Sequence, residues 1–81
     1  MQIIIQGLSR SHVLNFIEER TNILAIKECI ERLEGVPVLE QRLTLNSKPL
    51  CDNFSVTNDI ANELPPLHLS LRLLGIALDN I

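Results

Sequence analysis

Aromatic residues and long apolar runs are scarce in this 81-residue sequence. Tryptophan and tyrosine are absent, and Phe16 and Phe54 are the only aromatic residues, so an aliphatic core is expected. The longest apolar stretch, residues 73–78, is far shorter than the roughly 20 residues that cross a bilayer. The opening residues also lack the charged region and cleavage site of a secretion signal. These absences predict a soluble, non-secreted protein with no membrane partner.

Catalytic and metal-binding patterns are also missing. Cys29 and Cys51 are the only cysteines, so one disulfide is the most they could form, and no Cys-x-x-Cys or histidine cluster suggests zinc. Reduced thiols in a cytoplasmic or nuclear protein are therefore expected. Neither cysteine stands near a histidine in the sequence, so nothing supplies the activated thiol that a nucleophile needs. The sequence predicts a protein that is not an enzyme and that uses no cofactor, metal or small-molecule substrate.

Positive charge is in deficit. Seven lysines and arginines against ten aspartates and glutamates give a net charge of −3, so no global positive field attracts nucleic acid. The length fits one small domain, and a hydrophobic content of 46% is ordinary for a globular chain. Recognition of other proteins through local contacts is therefore expected.

The N-terminal part of the sequence predicts a β-hairpin. Apolar and polar residues alternate over residues 1–6, and a second β-rich segment over residues 12–17 follows a turn. Two registers are open, because a slip of one residue exchanges the two faces of the second strand. We favour the register that places Leu14 and Phe16 inward, since the other register buries Asn15.

An amphipathic helix is predicted over residues 22–34. Thr21 or Asn22 can accept the first free amide hydrogens as the N-cap, and Gly35 can adopt the left-handed conformation that ends a helix. Charged residues occupy one side, and the apolar residues that recur at steps of three and four on the other side are Ile23, Ile26, Ile30 and Leu33.

Apolar and polar residues alternate again over residues 42–45 and, most clearly, over residues 67–72. Residues 48–50 form a short edge segment that tolerates proline, and residues 51–66 are expected to be mostly loop with one helical turn. The order β-β-α-β-β predicts an α+β fold, in which one main helix packs across a mixed four- to five-stranded sheet because all the apolar faces need one shared core. The outer face of this sheet then carries Arg42, Thr44, His68, Ser70 and Arg72, with Lys48 nearby.

Landmark residues are spread over positions 1–75 without a gap. They are Met1-Gln2-Ile3, Leu8, Ile23, Lys27, Ile30, Glu34-Gly35-x-Pro37, Gln41-Arg42-Leu43, Lys48, Leu50, Asp52 and Leu67-His68-Leu69-x-Leu71-Arg72-Leu73. This collinear pattern resembles the ubiquitin family. The run over residues 67–73 is among the most specific parts of the resemblance. The resemblance implies a β-grasp fold for residues 1–75, followed by a C-terminal tail over residues 76–81.

The resemblance also implies a docking patch. In ubiquitin, partners bind a shallow apolar surface at the positions of Leu8, Thr44, His68 and Ser70. Here threonine replaces an isoleucine and serine replaces a valine, which removes apolar area worth roughly 25 cal/mol per Å² and weakens contact with the usual ubiquitin readers. Two interpretations stay open. Either the polar replacements are ordinary solvated strand residues, or the face binds a partner with an acidic surface through Arg42, Lys48, His68 and Arg72.

Lysines are few. Ubiquitin carries several that accept further ubiquitin, whereas this chain has only Lys27 and Lys48. The resemblance implies that Lys27 is half-buried and paired with Asp52, which leaves Lys48 as the accessible candidate for modification. Because a buried ammonium persists only with a partner, a packed ion pair is favoured over a modifiable Lys27.

The tail bears on covalent attachment. The ubiquitin family ends in Leu-Arg-Gly-Gly, whose terminal carboxylate is activated as an adenylate, but this sequence reads Leu73-Leu74-Gly75-Ile76. The missing Gly-Gly argues against conjugation, so we predict a ubiquitin-like protein that acts through protein–protein interaction. The alternatives are a modifier matured by proteolysis to Gly75, the ubiquitin-like half of a ribosomal protein fusion, and a structural subunit of a larger complex.

Overall fold

The computed structural model describes residues 1–71, so the predicted domain boundary at residue 75 and the tail lie outside the described residues. Seven strands, two α-helices and one 3-10 turn follow one another within these residues. They are β1 (Gln2–Gln6), β2 (Ser11–Asn15), β3 (Arg20–Asn22), α1 (Ile23–Glu34), a 3-10 turn (Val38–Glu40), β4 (Gln41–Leu45), β5 (Lys48–Pro49), β6 (Ser55–Thr57), α2 (Asn58–Ala61) and β7 (Leu67–Leu71).

Five strands form one mixed sheet in the order β2-β1-β7-β4-β5. β1 and β7 run parallel, and the other neighbours run antiparallel. Strands β3 and β6 form a separate two-stranded sheet. The buried side of α1 packs against the inner face of the large sheet, which confirms the predicted α+β, β-grasp architecture with one main helix. No helix within residues 1–71 is long and apolar enough to cross a membrane.

The first hairpin adopts the favoured register. Ile3 of β1 lies opposite Leu14 of β2, Leu14 is buried, and Phe16 packs partly buried against the core. Val13 and Asn15 point to the outer face. The cost of burying an amide side chain explains why this register is selected.

Both ends of α1 are capped by local chemistry. The Asn22 side chain accepts a hydrogen bond of 2.9 Å from the Ala25 amide, so Asn22 is the N-cap and Thr21 lies buried in β3. Gly35 has a φ of 75°, and its amide donates to the Glu31 carbonyl at 2.9 Å. A glycine adopts this left-handed conformation without the steric penalty that a side chain adds.

The core is aliphatic, as the scarcity of aromatic residues predicts. Among residues 1–71, Phe16 is only partly buried and Phe54 is exposed. The inner face of the sheet and the buried side of the helix both contribute branched aliphatic side chains to this core. The buried apolar residues are Ile3, Ile5, Leu14, Ile23, Ile26, Ile30, Leu43, Val56, Ala61, Leu67 and Leu69.

The small sheet of β3 and β6 differs from the expectation that residues 51–66 are mostly loop. Arg20 lies opposite Thr57, and Thr21 lies opposite the fully buried Val56. The predicted helical turn is present as α2. Three-residue strands show almost no alternation, so their pairing depends on the core that they cover and not on a local pattern. The second predicted strand, over residues 12–17, also ends earlier, at Asn15.

Candidate protein-docking face

The outer face of the five-stranded sheet brings four predicted site residues together. Arg42 lies opposite Ser70, and Thr44 lies opposite His68. Gln6 of β1 extends the second of these rows on the far side of His68. Alternation turns Leu43 and Leu69, which stand between these residues on the two strands, inward, so the polar side chains point away from the core. We call the four residues Arg42, Thr44, His68 and Ser70 the docking face.

Two further predicted residues lie at its margins. Leu8 is exposed in the loop of residues 7–10, which joins β1 to β2. Lys48 is exposed on the edge strand β5, where it lies opposite Leu45, whereas Pro49 is the residue opposite Thr44. Lys48 is therefore one residue out of phase with the docking face, and its position is at the open edge of the sheet.

Charge is distributed unevenly over the described part of the chain. No strand in residues 1–71 contains an aspartate or a glutamate, because every carboxylate there lies on a helix, the 3-10 turn or a loop. The strands of the large sheet carry Arg42 and Lys48 instead, together with the histidines His12 and His68. A protein with a net charge of −3 therefore presents a sheet that has cationic side chains and no anionic ones.

Glu34 ties the Leu8 loop to the end of α1. Its carboxylate lies 2.6 Å from the His12 ring nitrogen Nε2, and the side chains of His12 and Glu34 are only 11% and 8% exposed. The other carboxylate oxygen accepts the Leu8 amide at 3.3 Å. A negative charge at a helix C-terminus is unfavourable, so these hydrogen bonds offset a cost that the position of Glu34 incurs.

The same carboxylate explains the glycine at the start of this loop. The Gly7 amide donates to the Arg10 carbonyl at 3.0 Å. A Cβ at residue 7 would meet the Glu34 carboxylate and would lie 2.6 Å from the Arg10 carbonyl oxygen. The loop geometry therefore requires a residue without a side chain. Sequence reasoning missed the contact between Glu34 and His12, because 22 positions separate them.

The two lysines differ in burial. Lys27 Nζ lies 2.7 Å from Asp52 Oδ1, and the Lys27 side chain is 7% exposed while that of Asp52 is 54% exposed. The ion pair that the resemblance implies is therefore present, with Lys27 more deeply buried than expected. The buried Gln41 amide adds a hydrogen bond of 2.8 Å to the Lys27 carbonyl. Lys48 is the more accessible of the two amines.

Both cysteines lie within the described residues 1–71. Both cysteines are free thiols, Cys29 half-buried and Cys51 exposed. Within residues 1–71, no group of three or more histidine, cysteine, aspartate or glutamate side chains is placed to hold a metal ion. The remaining predicted site residues, Arg72, Leu73 and Gly75, lie outside the described residues.

Comparison with known proteins identifies relatives along almost the whole chain. No protein-family model matches it. The chain is 32% identical over 75 residues to the NEDD8-like protein RUB1 of Saccharomyces cerevisiae, covering 93% of this chain and 97% of that protein. It is 33% identical over 75 residues to the NEDD8-like protein RUB3 of Arabidopsis thaliana, covering 93% of this chain and 96% of that protein. With this identity and coverage, and with a β-grasp fold, the chain belongs to the ubiquitin-like protein family.

Proposed function

We propose that this ubiquitin-like protein acts by non-covalent docking of a partner with an acidic surface onto the docking face. The observation that carries the proposal is the charge distribution. Arg42 and His68 are exposed on the face, Lys48 lies at its edge, and no strand in residues 1–71 bears a carboxylate. Complementary charge steers an acidic partner to such a surface and disfavours a basic one.

The polar residues of the docking face also favour a partner unlike the usual ubiquitin readers. Thr44 and Ser70 lie diagonally across the face, one on each of the two strands that pair there. Each residue lacks part of the aliphatic area of the isoleucine or valine at that position in ubiquitin, and apolar area contributes roughly 25 cal/mol per Å². A helix that binds ubiquitin through apolar contacts therefore loses most of its affinity here.

Restoring the aliphatic side chains tests this part of the proposal. We expect a generic ubiquitin-binding helix to bind the wild-type chain far more weakly than it binds ubiquitin, and the Thr44→Ile, Ser70→Val variant to regain binding. NMR titration of the labelled chain measures both affinities. The matched control makes the same two changes on the small sheet, as Thr57→Ile with Ser55→Val, and should gain nothing. Wild-type affinity equal to that of ubiquitin would contradict the proposal.

The acidic-partner part has its own test. The probe is a synthetic peptide with one leucine flanked by glutamates, titrated into the labelled chain at low salt. We expect the largest amide shifts on β4 and β7 and a several-fold loss of affinity in Arg42→Ala, because guanidinium groups pair well with carboxylates. Arg20→Ala, on the small sheet, is the matched control and should bind as the wild type does. Equal losses of affinity in the two variants would show that peptide binding depends only on the net charge of the chain.

A second candidate function is covalent modification after trimming to Gly75. The names of the two relatives favour it, since both are NEDD8-like proteins. Against it stands Ile76, which follows Gly75 where the ubiquitin family has its final glycine. The intact mass of the protein from its own cells separates the two candidates, because only a modifier accumulates as a species that ends at Gly75 or is linked through it.

A further inference from the structure

The two edge strands of the large sheet are protected to different degrees. β5 consists of Lys48 and Pro49 only, and a charge together with a proline hinders the addition of another strand. β2 at the opposite edge runs for five residues, Ser11–Asn15, without a lysine, a carboxylate or a proline. Exposed edges of this kind are templates for pairing with a further strand.

The hydrogen-bond pattern shows which backbone groups of β2 are free. The Met1 amino group donates to the Phe16 carbonyl at 2.6 Å, and the Phe16 amide donates to the Met1 carbonyl at 2.8 Å. In an antiparallel pair, such bonded positions alternate with non-bonded ones. His12 and Leu14 therefore bond to β1, and the residues whose amides and carbonyls point to the open edge are Ser11, Val13 and Asn15.

These backbone groups make no hydrogen bond to another element within residues 1–71. Their side chains lie on the outer face together with Ile4 of β1, which is opposite Val13. Val13 is 55% exposed, and Ser11 and Asn15 are exposed on either side of it. The free edge is thus a five-residue strand with an apolar residue at its centre and a small polar residue at each end.

We propose that this edge pairs with the same edge of a second copy of the chain, as an antiparallel β2–β2 contact centred on Val13. The argument for a second copy is the symmetry of the strand about that residue. Val13 of one copy lies opposite Val13 of the other, and Ser11 lies opposite Asn15. The two-fold contact is self-complementary, as closed dimers require, and no like charges within the strand meet.

The contact makes about six backbone hydrogen bonds, two at each of three bonded pairs. It joins the two sheets into one continuous sheet and leaves β4 and β7, which carry the docking face, open in both copies. A contact of five residues a side is small for a stable dimer. Self-association is therefore weak and depends on concentration, and it is independent of the function proposed above.

Sedimentation equilibrium of the full chain, from micromolar to millimolar concentration, tests this contact. We expect a monomer–dimer equilibrium in the wild type and a dissociation constant at least about tenfold higher in Val13→Lys, because the two introduced positive charges stand on directly opposite residues whose Cα atoms are about 5.5 Å apart across the two-fold axis. Ile4→Lys is the matched control. This substitution adds the same charge on the same face, at a position that is 44% exposed compared with 55% for Val13. Residue 4 lies about 14 Å from residue 4 of the other copy, because three strand spacings separate them. The Ile4→Lys variant should therefore still dimerise.

Amide shifts of the wild type over the same concentration range give a readout that needs no variant. Concentration-dependent shifts and slowed hydrogen exchange at Ser11, Val13 and Asn15 support the contact. A chain that stays monomeric at millimolar concentration overturns it. So does an equal effect of the two lysine substitutions, or a set of concentration-dependent shifts confined to another surface.

Discussion

Replacing Asp52 with alanine is expected to lower the free energy of unfolding by about 3 kcal/mol, because it strands the buried Lys27 ammonium without its counter-ion. Lys27 Nζ lies 2.7 Å from the Asp52 carboxylate. Lys27 is almost completely buried and Asp52 is half-exposed, so the desolvation penalty falls mainly on the lysine. Urea unfolding of the wild type and the variant measures the difference.

Two further variants make this result specific. Lys48→Ala removes the chain's other lysine, which is exposed, and should cost less than about 1 kcal/mol. Lys27→Met keeps most of the apolar stem and removes the charge, so Asp52→Ala should cost little in that background. Equal, small losses for Asp52→Ala and Lys48→Ala would mean that the Lys27 ammonium reaches solvent and is open to modification.

The 81-residue chain is expected to form no thioester with a ubiquitin-activating enzyme and ATP. In the ubiquitin family that enzyme activates the carboxylate of a Gly-Gly terminus, whereas Gly75 is followed here by Ile76. A β-branched side chain restricts the backbone and adds bulk at the position where a thin chain must reach the adenylation site. Mass spectrometry of the enzyme after the reaction detects the thioester.

A pair of truncated chains isolates the effect of the side chain. Both end at residue 76, one with Ile76 retained and the other carrying Ile76→Gly. Only the glycine variant should form the thioester, because the two differ in nothing but the bulk of the terminal residue. Thioester formation by the full chain, or equal activity of the two truncated chains, would contradict the expectation and strengthen the case for a modifier.

Helix α1 shows how far local patterns reach. Its predicted range, residues 22–34, matches the observed Ile23–Glu34 with Asn22 as cap, because the apolar period and the capping groups are properties of neighbouring residues. The inward direction of Leu14 follows for a similar reason. One register buries the Asn15 amide side chain and the other does not, so the free-energy difference between the two registers can be predicted from the sequence.

The small sheet and the Glu34 contact show where local patterns end. Strands β3 and β6 have three residues each and pair across more than 30 positions. Alternation over three residues is too short to predict such a pairing. The choice between Thr21 and Asn22 as cap is settled by the same pairing, since Thr21 is buried in β3. The contact of His12 with Glu34 exists only because the end of α1 packs beside the first hairpin.

The sequence by itself determined an α+β fold with one main helix, the aliphatic core and the polar character of the docking face at Thr44 and Ser70, since each depends on residue type and short spacing. The β-grasp topology was implied by the resemblance to the ubiquitin family. Only the tertiary structure decided which strands are neighbours, that Lys48 stands out of phase with Thr44, and that β2 is the edge strand opposite β5 within the described residues. The physical reason is strand order. Alternation says which way a side chain points, but the neighbour of a strand is chosen by packing of the whole core.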